Sequence, residues 1–405
     1  MQSDQSKPNV NQSTSSRPLI PRTVWALGFV SMFMDISSEI IHALLPLFLT
    51  ATLGVSVAMV GLIDGVAEAT ASITKVFSGY ISDRMGKRKP LILIGYSLGA
   101  LSKPFFALAM TAPVIIGARF VDRIGKGLRG APRDALVADV TPSEIRGRAF
   151  GLRQSIDTLG AFLGPLIAIA AMAAFANDMR AVFWLAVIPA GIAVLLVLVG
   201  VEDAKTPLGA SSARIPVRMS DLRQLPNAFW LLVAIGAVFT LARFSEAFLI
   251  LKANAEGLPL PLTPLVLVAM NAVYMLAAYP LGGLSDRVSA KAMLIAGLIV
   301  LIAADLALAF LPCVAGAFFG IVLWGVHMAV TQGLFAKLVA DRSPPELRGS
   351  AYGIFNLVTG LALLAASLIA GIVWDSTSPA ATFVVGAGCA GLALAGVLCV
   401  SSARE

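Results

Sequence analysis

The sequence ADVTPSEIRGRAFG, at Ala138–Gly151, returns 202 residues later as ADRSPPELRGSAYG, at Ala340–Gly353. Eight of the fourteen positions are identical between the two copies. A second pair, GYISDR at Gly79–Arg84 and GGLSDR at Gly282–Arg287, is separated by 203 residues. Matches in the same order at nearly the same offset indicate that the chain consists of two related halves.

Composition predicts that both halves lie in a membrane. Of the 405 residues, 58% are hydrophobic and only 13% are charged, whereas a soluble protein carries about a quarter charged residues. Apolar runs recur that are long enough to cross a bilayer core of about 30 Å. The period-2 alternation of barrel strands is absent, so the spanning elements must be helices. We therefore expect an all-α polytopic membrane protein.

The apolar segments form two sets of six spans. They lie at about 23–50, 56–82, 90–111, 113–139, 147–175 and 180–200, and then at 227–252, 263–285, 290–311, 314–340, 348–373 and 379–400. This predicts a disordered cytoplasmic tail at 1–22, an N-terminal six-helix bundle at 23–200, a cytoplasmic linker at 201–226 and a C-terminal six-helix bundle at 227–401. Because six spans return the chain to its starting side, the halves should be related by an axis along the membrane normal.

Basic residues predict the orientation. About eighteen Lys and Arg residues lie in the tails and loops on the side of the N-terminus, against about two on the other side, Arg180 and Lys252. Positive loops stay inside, so both termini should be cytoplasmic and the protein should lie in the cytoplasmic (inner) membrane. The net charge of +7 then faces anionic lipid and does not indicate a nucleic-acid partner.

The loop between spans two and three resembles a known signature. GYISDRMGKR, at Gly79–Arg88, is similar to the motif that members of the major facilitator superfamily carry there, and GGLSDRVSAK is a degenerate copy between spans eight and nine. The second copy has Ser289 and Ala290 in place of a glycine and a basic residue. The resemblance covers the whole chain. It implies twelve transmembrane helices in two pseudo-symmetric six-helix bundles, rocker-switch transport, and a cavity lined by spans one, four, seven and ten.

The resemblance also implies a cytoplasmic gate at the Asp-Arg loops. Asp83 would lie at the N-terminus of span eleven and Asp286 at that of span five, where a carboxylate is favoured by about 0.3–1 kcal/mol. Arg84 would pair with Asp139, and Arg287 with Asp341. The predicted gate residues are Gly79, Asp83, Arg84, Gly86, Arg88, Asp139, Arg146, Asp286, Arg287, Asp341 and Arg348. The alternative is that the basic residues only enforce topology.

Span four carries an unusual stripe of charge. Arg119, Asp122, Lys126, Arg129 and Arg133 fall on one narrow face of a helix. Charge at membrane depth is expensive and by default indicates function. The stripe could bind an anionic or zwitterionic solute, or it could form a structural ion-pair network with the acids of spans one and two. On the first interpretation the substrate-binding residues are Arg119, Arg123, Lys126, Arg129, Arg243, His327 and Gln332.

Proton coupling needs a carboxylate whose protonation responds to substrate or conformation. Asp35 and Glu39 fit best, since they lie one turn apart on span one, opposite the basic stripe. Glu246 on span seven is the matching residue in the second half. The alternative for Asp35 is a permanent ion pair with a span-four arginine. Asp305, on a peripheral span, is expected to be structural.

These observations predict a proton-coupled secondary transporter of a small organic solute. Its partners would be the solute, protons and the lipid bilayer, and we expect a monomer. A second interpretation is a drug or metabolite exporter with an apolar pocket around Phe239, Phe244 and Trp324. A receptor or scaffold on the same fold is a third, which the short tails disfavour. No nucleophile–base pair or metal-ligand spacing indicates an enzyme, so we expect no catalytic residues, cofactor or metal.

Overall fold

A computed structural model describes residues 19–85, 87–142, 145–203, 225–284, 288–343 and 348–402. Within these ranges the regular structure is entirely helical, and the twelve predicted spans are present. In order, their helices are Arg22–His42, Val57–Met85, Lys89–Leu108, Ala112–Val140, Arg146–Ala174, Met179–Leu185 with Val187–Gly200, Asn227–Leu241 with Ala247–Ala255, Leu265–Leu284, Ala290–Phe310, Val314–Asp341, Arg348–Ser376 and Pro379–Ser402. The shorter elements Leu45–Leu47 and Phe48–Thr52 continue span one, and the turn Leu260–Leu262 precedes span eight.

Ten spans in the described ranges are long and apolar enough to cross a membrane. Span four is long enough, at 29 residues, but its charged stripe makes it too polar. Span seven is interrupted, because its first helix ends at Leu241 after 15 residues and the second begins at Ala247. Both exceptions are spans that the resemblance assigns to the central cavity.

Helix packing follows the two halves. In the first half, span one packs against spans five and six, and span four packs against spans two and three. In the second half, span nine packs against spans ten and twelve, and span eight against span ten. Because the number of spans is even, the chain enters span one and leaves span twelve at the same face of the bundle. We call this the terminal face and the other the opposite face.

The halves meet most extensively through spans two and eleven. A Cβ atom at Gly65 would lie 2.8 Å from the Cα atom of Leu364, so only glycine permits this approach. At the opposite face, the backbone N–H groups of Val57 and Ala58 donate to the Asp375 carboxylate at 3.1 and 2.7 Å. The second helix of span seven also contacts spans one and two there. The bundle is therefore closed at the opposite face.

Candidate solute cavity

A polar cavity of about 360 Å³ lies beside span four. Helical periodicity builds its walls, because lining residues recur at three- and four-residue steps on spans one, two and four. The lining residues are Asp35, Ser38, Glu39, His42, Glu68, Ala71, Ser72, Lys75, Tyr96, Asp122, Arg123, Lys126, Gly127, Arg129, Gly130, Arg133, Asp157 and Asn356. All but Asn356, on span eleven, belong to the first half. The cavity is thus strongly asymmetric between two related halves.

Several charges at the cavity wall are already paired. The Arg123 guanidinium lies 2.8 Å from the Glu68 carboxylate. Arg133 pairs with Asp134 at 3.1 Å and donates to the Ser31 hydroxyl at 3.0 Å. The Arg123–Glu68 contact corresponds to the structural network that was the alternative interpretation of the stripe, and the Arg133–Asp134 contact lies within span four. They fix the positions of the side chains and leave them little capacity to bind a ligand.

Lys103, on span three, is a functional candidate that the sequence analysis missed. It is 1% exposed, and its ammonium donates to Asp122 at 2.8 Å and to the Ser38 hydroxyl at 3.0 Å. The signal that could have indicated it is a single lysine within an apolar span. Because Lys103 of span three neutralises the charge of Asp122, this carboxylate contributes less to balancing the basic residues of span four.

Five charged groups at the cavity wall remain largely uncompensated. Lys75 and Lys126 are exposed to the cavity and have no ion-pair partner within 4 Å among the described residues. The Arg129 guanidinium lies 4.7 Å from the centre of the Tyr96 ring, and its buried Nη1 atom has no hydrogen-bond partner in the described part of the chain. Among the described residues, the Asp35 carboxylate has no ion-pair or hydrogen-bond partner. The Glu39 carboxylate has one ion-pair partner there, His42, at 3.5 Å.

Four predicted site residues do not line this cavity: Arg119, Arg243, Glu246 and His327. Arg119 is buried and lies 3.1 Å from Asp64, on the side of the cavity towards the opposite face. Arg243 pairs with Glu246 at 3.7 Å. His327 is fully buried, with its Nδ1 atom 2.8 Å from the Gly297 carbonyl oxygen and its ring stacked on another aromatic ring. The side chain of Gln332, also predicted, lies outside the described residues.

Arg119 is displaced from the cavity because the halves touch at its level. Asp64 accepts from Arg119 with one oxygen and, at 2.8 Å, from the Ser245 hydroxyl with the other. Ser245 lies in the interruption of span seven, and its backbone N–H donates to the Ser367 hydroxyl of span eleven at 3.1 Å. We call Asp64, Arg119, Ser245 and Ser367 the Asp64 junction. It joins two spans of each half by polar contacts.

The apolar pocket expected around Phe239, Phe244 and Trp324 is filled by packing. These side chains are at most 4% exposed, and the Phe244 and Trp324 rings lie 5.5 Å apart. The span-ten residues that stand opposite the charged stripe in the repeat, including Ile321 and Met328, are buried in the same core. In the described structure the second half therefore supplies a packed aromatic core rather than a binding surface.

The predicted gate falls largely outside the described residues. This holds for Gly86 and for the side chains of Asp83, Arg84, Arg146, Asp286, Arg287, Asp341 and Arg348. Two observations at the terminal face concern the predicted gate. Asp139, which we expected to pair with Arg84, lies 3.3 Å from Arg88, and Gly79 lies next to Ala131 of span four. The gate arrangement otherwise stays a prediction.

Comparisons with known sequences agree with this architecture. The family model of the Major Facilitator Superfamily matches residues 27–367 and 247–403. An uncharacterised MFS-type transporter of Methanocaldococcus jannaschii is 31% identical over 384 residues, which is 93% of this chain and 94% of the relative. A probable 4-methylmuconolactone transporter of Cupriavidus pinatubonensis is 32% identical over 203 residues, 49% of this chain and 46% of the relative. The multidrug resistance protein MdtL of Escherichia coli is 24% identical over 299 residues, 71% of this chain and 75% of the relative.

Solved structures share the fold at low sequence identity. The nucleoside transporter NupG superimposes with a TM-score of 0.76 at 13% identity, covering 93% of this chain and 98% of NupG. The human organic anion transporter MFSD10 gives a TM-score of 0.65 at 17% identity, covering 94% of this chain and all of the other. The family match over the whole chain and the 31% identical relative, together with the repeated halves and the twelve helical spans, establish that the chain belongs to the Major Facilitator Superfamily of membrane transporters.

Proposed function

We propose that the chain is a secondary active transporter that carries a small charged organic solute, anionic or zwitterionic, across the cytoplasmic membrane. The observation that carries this proposal is the cavity of about 360 Å³ and its uncompensated charges. Its volume is at the low end of small-molecule pockets, which measure about 300–1,000 Å³. An unpaired charge at membrane depth needs water or a ligand. A small polar solute would meet that need.

The contacts between the halves support alternating access. The Asp64 junction and the hydrogen bonds from Val57 and Ala58 to Asp375 close the opposite face, and both involve residues from each half. If the halves rock apart at that face, these contacts break, so they stabilise one state only. The excess of basic residues in the loops at the terminal face supports a cytoplasmic location for that face. The described state would then exchange solute with the cytoplasm.

Proton coupling is proposed through Asp35 and Glu39. Both carboxylates face the cavity that contains Lys126, and Asp35 has no ion pair in the described part of the chain. Binding of solute would therefore alter the charge that these two groups experience. Glu246 is a weaker candidate, because it pairs with Arg243 outside the cavity. We expect Glu39→Gln to uncouple solute movement from pH, and an unchanged proton dependence would remove Glu39 from the scheme.

A ligand screen followed by flux tests the proposal. Purified protein would be screened by thermal shift against small organic acids, amino acids, amines and neutral solutes. The strongest ligand would then be tested for uptake into proteoliposomes under an imposed pH gradient. Lys126→Gln should weaken both signals. Lys291→Gln, which removes a charge at the terminal face outside the cavity, is the matched control and should preserve them.

A drug or metabolite exporter remains the second candidate, because relatives such as MdtL are named multidrug resistance proteins. Geometry favours it less, since the aromatic side chains it would use are packed in the core. Stabilisation by apolar solutes, with no response to charged ones and no effect of Lys126→Gln, would favour the exporter.

A further inference from the structure

We infer that the solute held in this cavity is a zwitterion, with its carboxylate toward Lys126, Arg129 and Lys75 and its cationic end toward Asp35 and Glu39. This inference rests on the proposed transport function and narrows its substrate class. It depends on separating the charges at the cavity wall into those already paired within the protein and those left for a ligand.

The paired charges cancel one another. Arg123 lies against Glu68, Asp122 against Lys103, and Arg133 against Asp134. Asp157, the last acid of the wall, lies 3.5 Å from Arg153. Breaking the buried Lys103–Asp122 pair by removing one partner is costly. In the other pairs the two charges already offset each other, so a ligand gains less by competing for these groups. The recognition chemistry must come from the others.

The remaining charges have both signs and stand on different helices. The cations come from spans two and four, as Lys75, Lys126 and Arg129, whereas the carboxylates come from span one, as Asp35 and Glu39. No cation of this set lies within 4 Å of either carboxylate. Opposite charges attract across the gap that separates them, yet the cavity holds them apart. A molecule with separated charges can bridge the two walls.

A solute with a single charge would fit less well. A plain carboxylate could bind Lys126 but would place its other end beside Asp35 and Glu39 with nothing to neutralise them. A plain cation would meet Lys75, Lys126 and Arg129, and like charges brought together at an interface oppose binding. Only a zwitterion satisfies both walls at once.

Neutral polar groups complete the site and link it to the second half. Ser38, Ser72 and the Tyr96 hydroxyl lie on the first-half wall, and the Asn356 amide is contributed by span eleven. A ligand that touches Asn356 contacts both halves in this state. Differential contact of that kind is what allows a ligand to shift a conformational equilibrium.

The test uses sets of three related solutes. Each set contains an amino acid, the same molecule without its amine and the same molecule without its carboxylate. One set is 4-aminobutyrate, butyrate and propylammonium, and another is phenylalanine, 3-phenylpropionate and phenethylammonium. α-, β- and γ-amino acids and N-methylated betaines extend the panel. Affinities would be measured by thermal shift and equilibrium dialysis on the full-length protein, its Lys126→Gln variant and its Asp35→Asn variant.

We expect at least one zwitterion to bind about tenfold or more tightly than either of its single-charge counterparts, the effect of one added charge-assisted contact. Lys126→Gln should weaken binding of that zwitterion about tenfold and leave binding of the amine-only compound unchanged or improved. Asp35→Asn should weaken the zwitterion by a similar factor and leave the carboxylate-only compound unchanged or improved. Where either variant does not fold, Lys75→Gln or Glu39→Gln replaces it.

A carboxylate-only compound that binds as tightly as its zwitterion, with no effect of Asp35→Asn, would overturn the inference and leave the transport proposal intact. The same holds if no zwitterion in the panel binds better than its counterparts. The opposite pattern, selective zwitterion binding without movement into proteoliposomes, would count against transport rather than against the site.

Discussion

The hydroxyl of Ser245 provides a direct way to change the balance between conformations. It donates to the Asp64 carboxylate at 2.8 Å, from the interruption of span seven across to span two. Because the two residues belong to different halves, the bond can exist only while the opposite face is closed. Ser245→Ala removes the bond and leaves the Arg119–Asp64 pair within the first half in place.

The size of the effect follows from the charge on the acceptor. A hydrogen bond to a charged group contributes about 1.5–3 kcal/mol, and about 1.4 kcal/mol corresponds to a factor of ten. Ser245→Ala should therefore shift the equilibrium toward the state open at the opposite face by roughly tenfold to a hundredfold. The same hydroxyl accepts the backbone N–H of Ala247 at 3.2 Å, but that contact lies within one half and its loss affects both states.

Spin labels at the opposite face would measure the shift. Thr111, before span four, and Thr377, after span eleven, are exposed and lie on different halves. In a background without the three native cysteines, cysteines at these positions would be labelled and their separation measured by double electron–electron resonance. Wild type should populate mainly the short distance, and Ser245→Ala should increase the long-distance population.

Ser37→Ala is the matched control. Ser37 also uses a buried hydroxyl, which donates to the Ala186 carbonyl at 2.7 Å, but both residues belong to the first half. Its loss should cost stability without moving the distance distribution. If Ser245→Ala and Ser37→Ala give the same distribution as wild type, the Asp64 junction does not hold the opposite face closed.

Two further predictions concern the first half. Gly125→Ala should lower stability by about 1–3 kcal/mol, because the new Cβ would lie 2.6 Å from the Gly95 carbonyl oxygen; Gly117→Ala, on the same span with nothing within 4 Å, should leave the thermal unfolding midpoint in detergent unchanged. Lys103→Met should lower stability by up to about 3–5 kcal/mol, since it leaves the buried Asp122 carboxylate with only the longer Arg123 contact, at 3.9 Å. Adding Asp122→Asn should recover part of that loss, and a fully additive double variant would show that the pair is not coupled.

The architecture was predictable because it follows from repeated motifs and from the length and hydropathy of the apolar segments. Hydropathy and the duplicated loops depend on neighbouring residues, so they identified twelve spans and two related halves. Two spans are exceptions to the length and hydropathy criterion. Span four carries charged residues, which are visible in the sequence, and span seven is interrupted. The interruption of span seven was not predicted. Its residue Ser245 bonds to Asp64, 181 positions away, and spacing along the chain does not reveal such a contact.

The roles of the individual charges were not predictable, because they depend on partners from other helices. The structure shows that some residues of the stripe form ion pairs within the protein, whereas others face the cavity without a partner among the described residues. Arg119 and Asp122 have partners 55 and 19 positions away, whereas Lys126 has none among the described residues. Helical spacing places side chains on a face, but it cannot indicate what the neighbouring helix offers to each one.

Counterflow in proteoliposomes tests the central claim most directly, because it reports carrier movement without requiring a known driving ion. Vesicles loaded with the most stabilising unlabelled solute would be diluted into a trace of the same labelled solute. Transient accumulation is expected with wild type and with Lys291→Gln, and much less with Lys126→Gln. Equal accumulation in Lys126→Gln, or a wild-type trace no different from protein-free vesicles, would contradict the proposal that this cavity carries the solute.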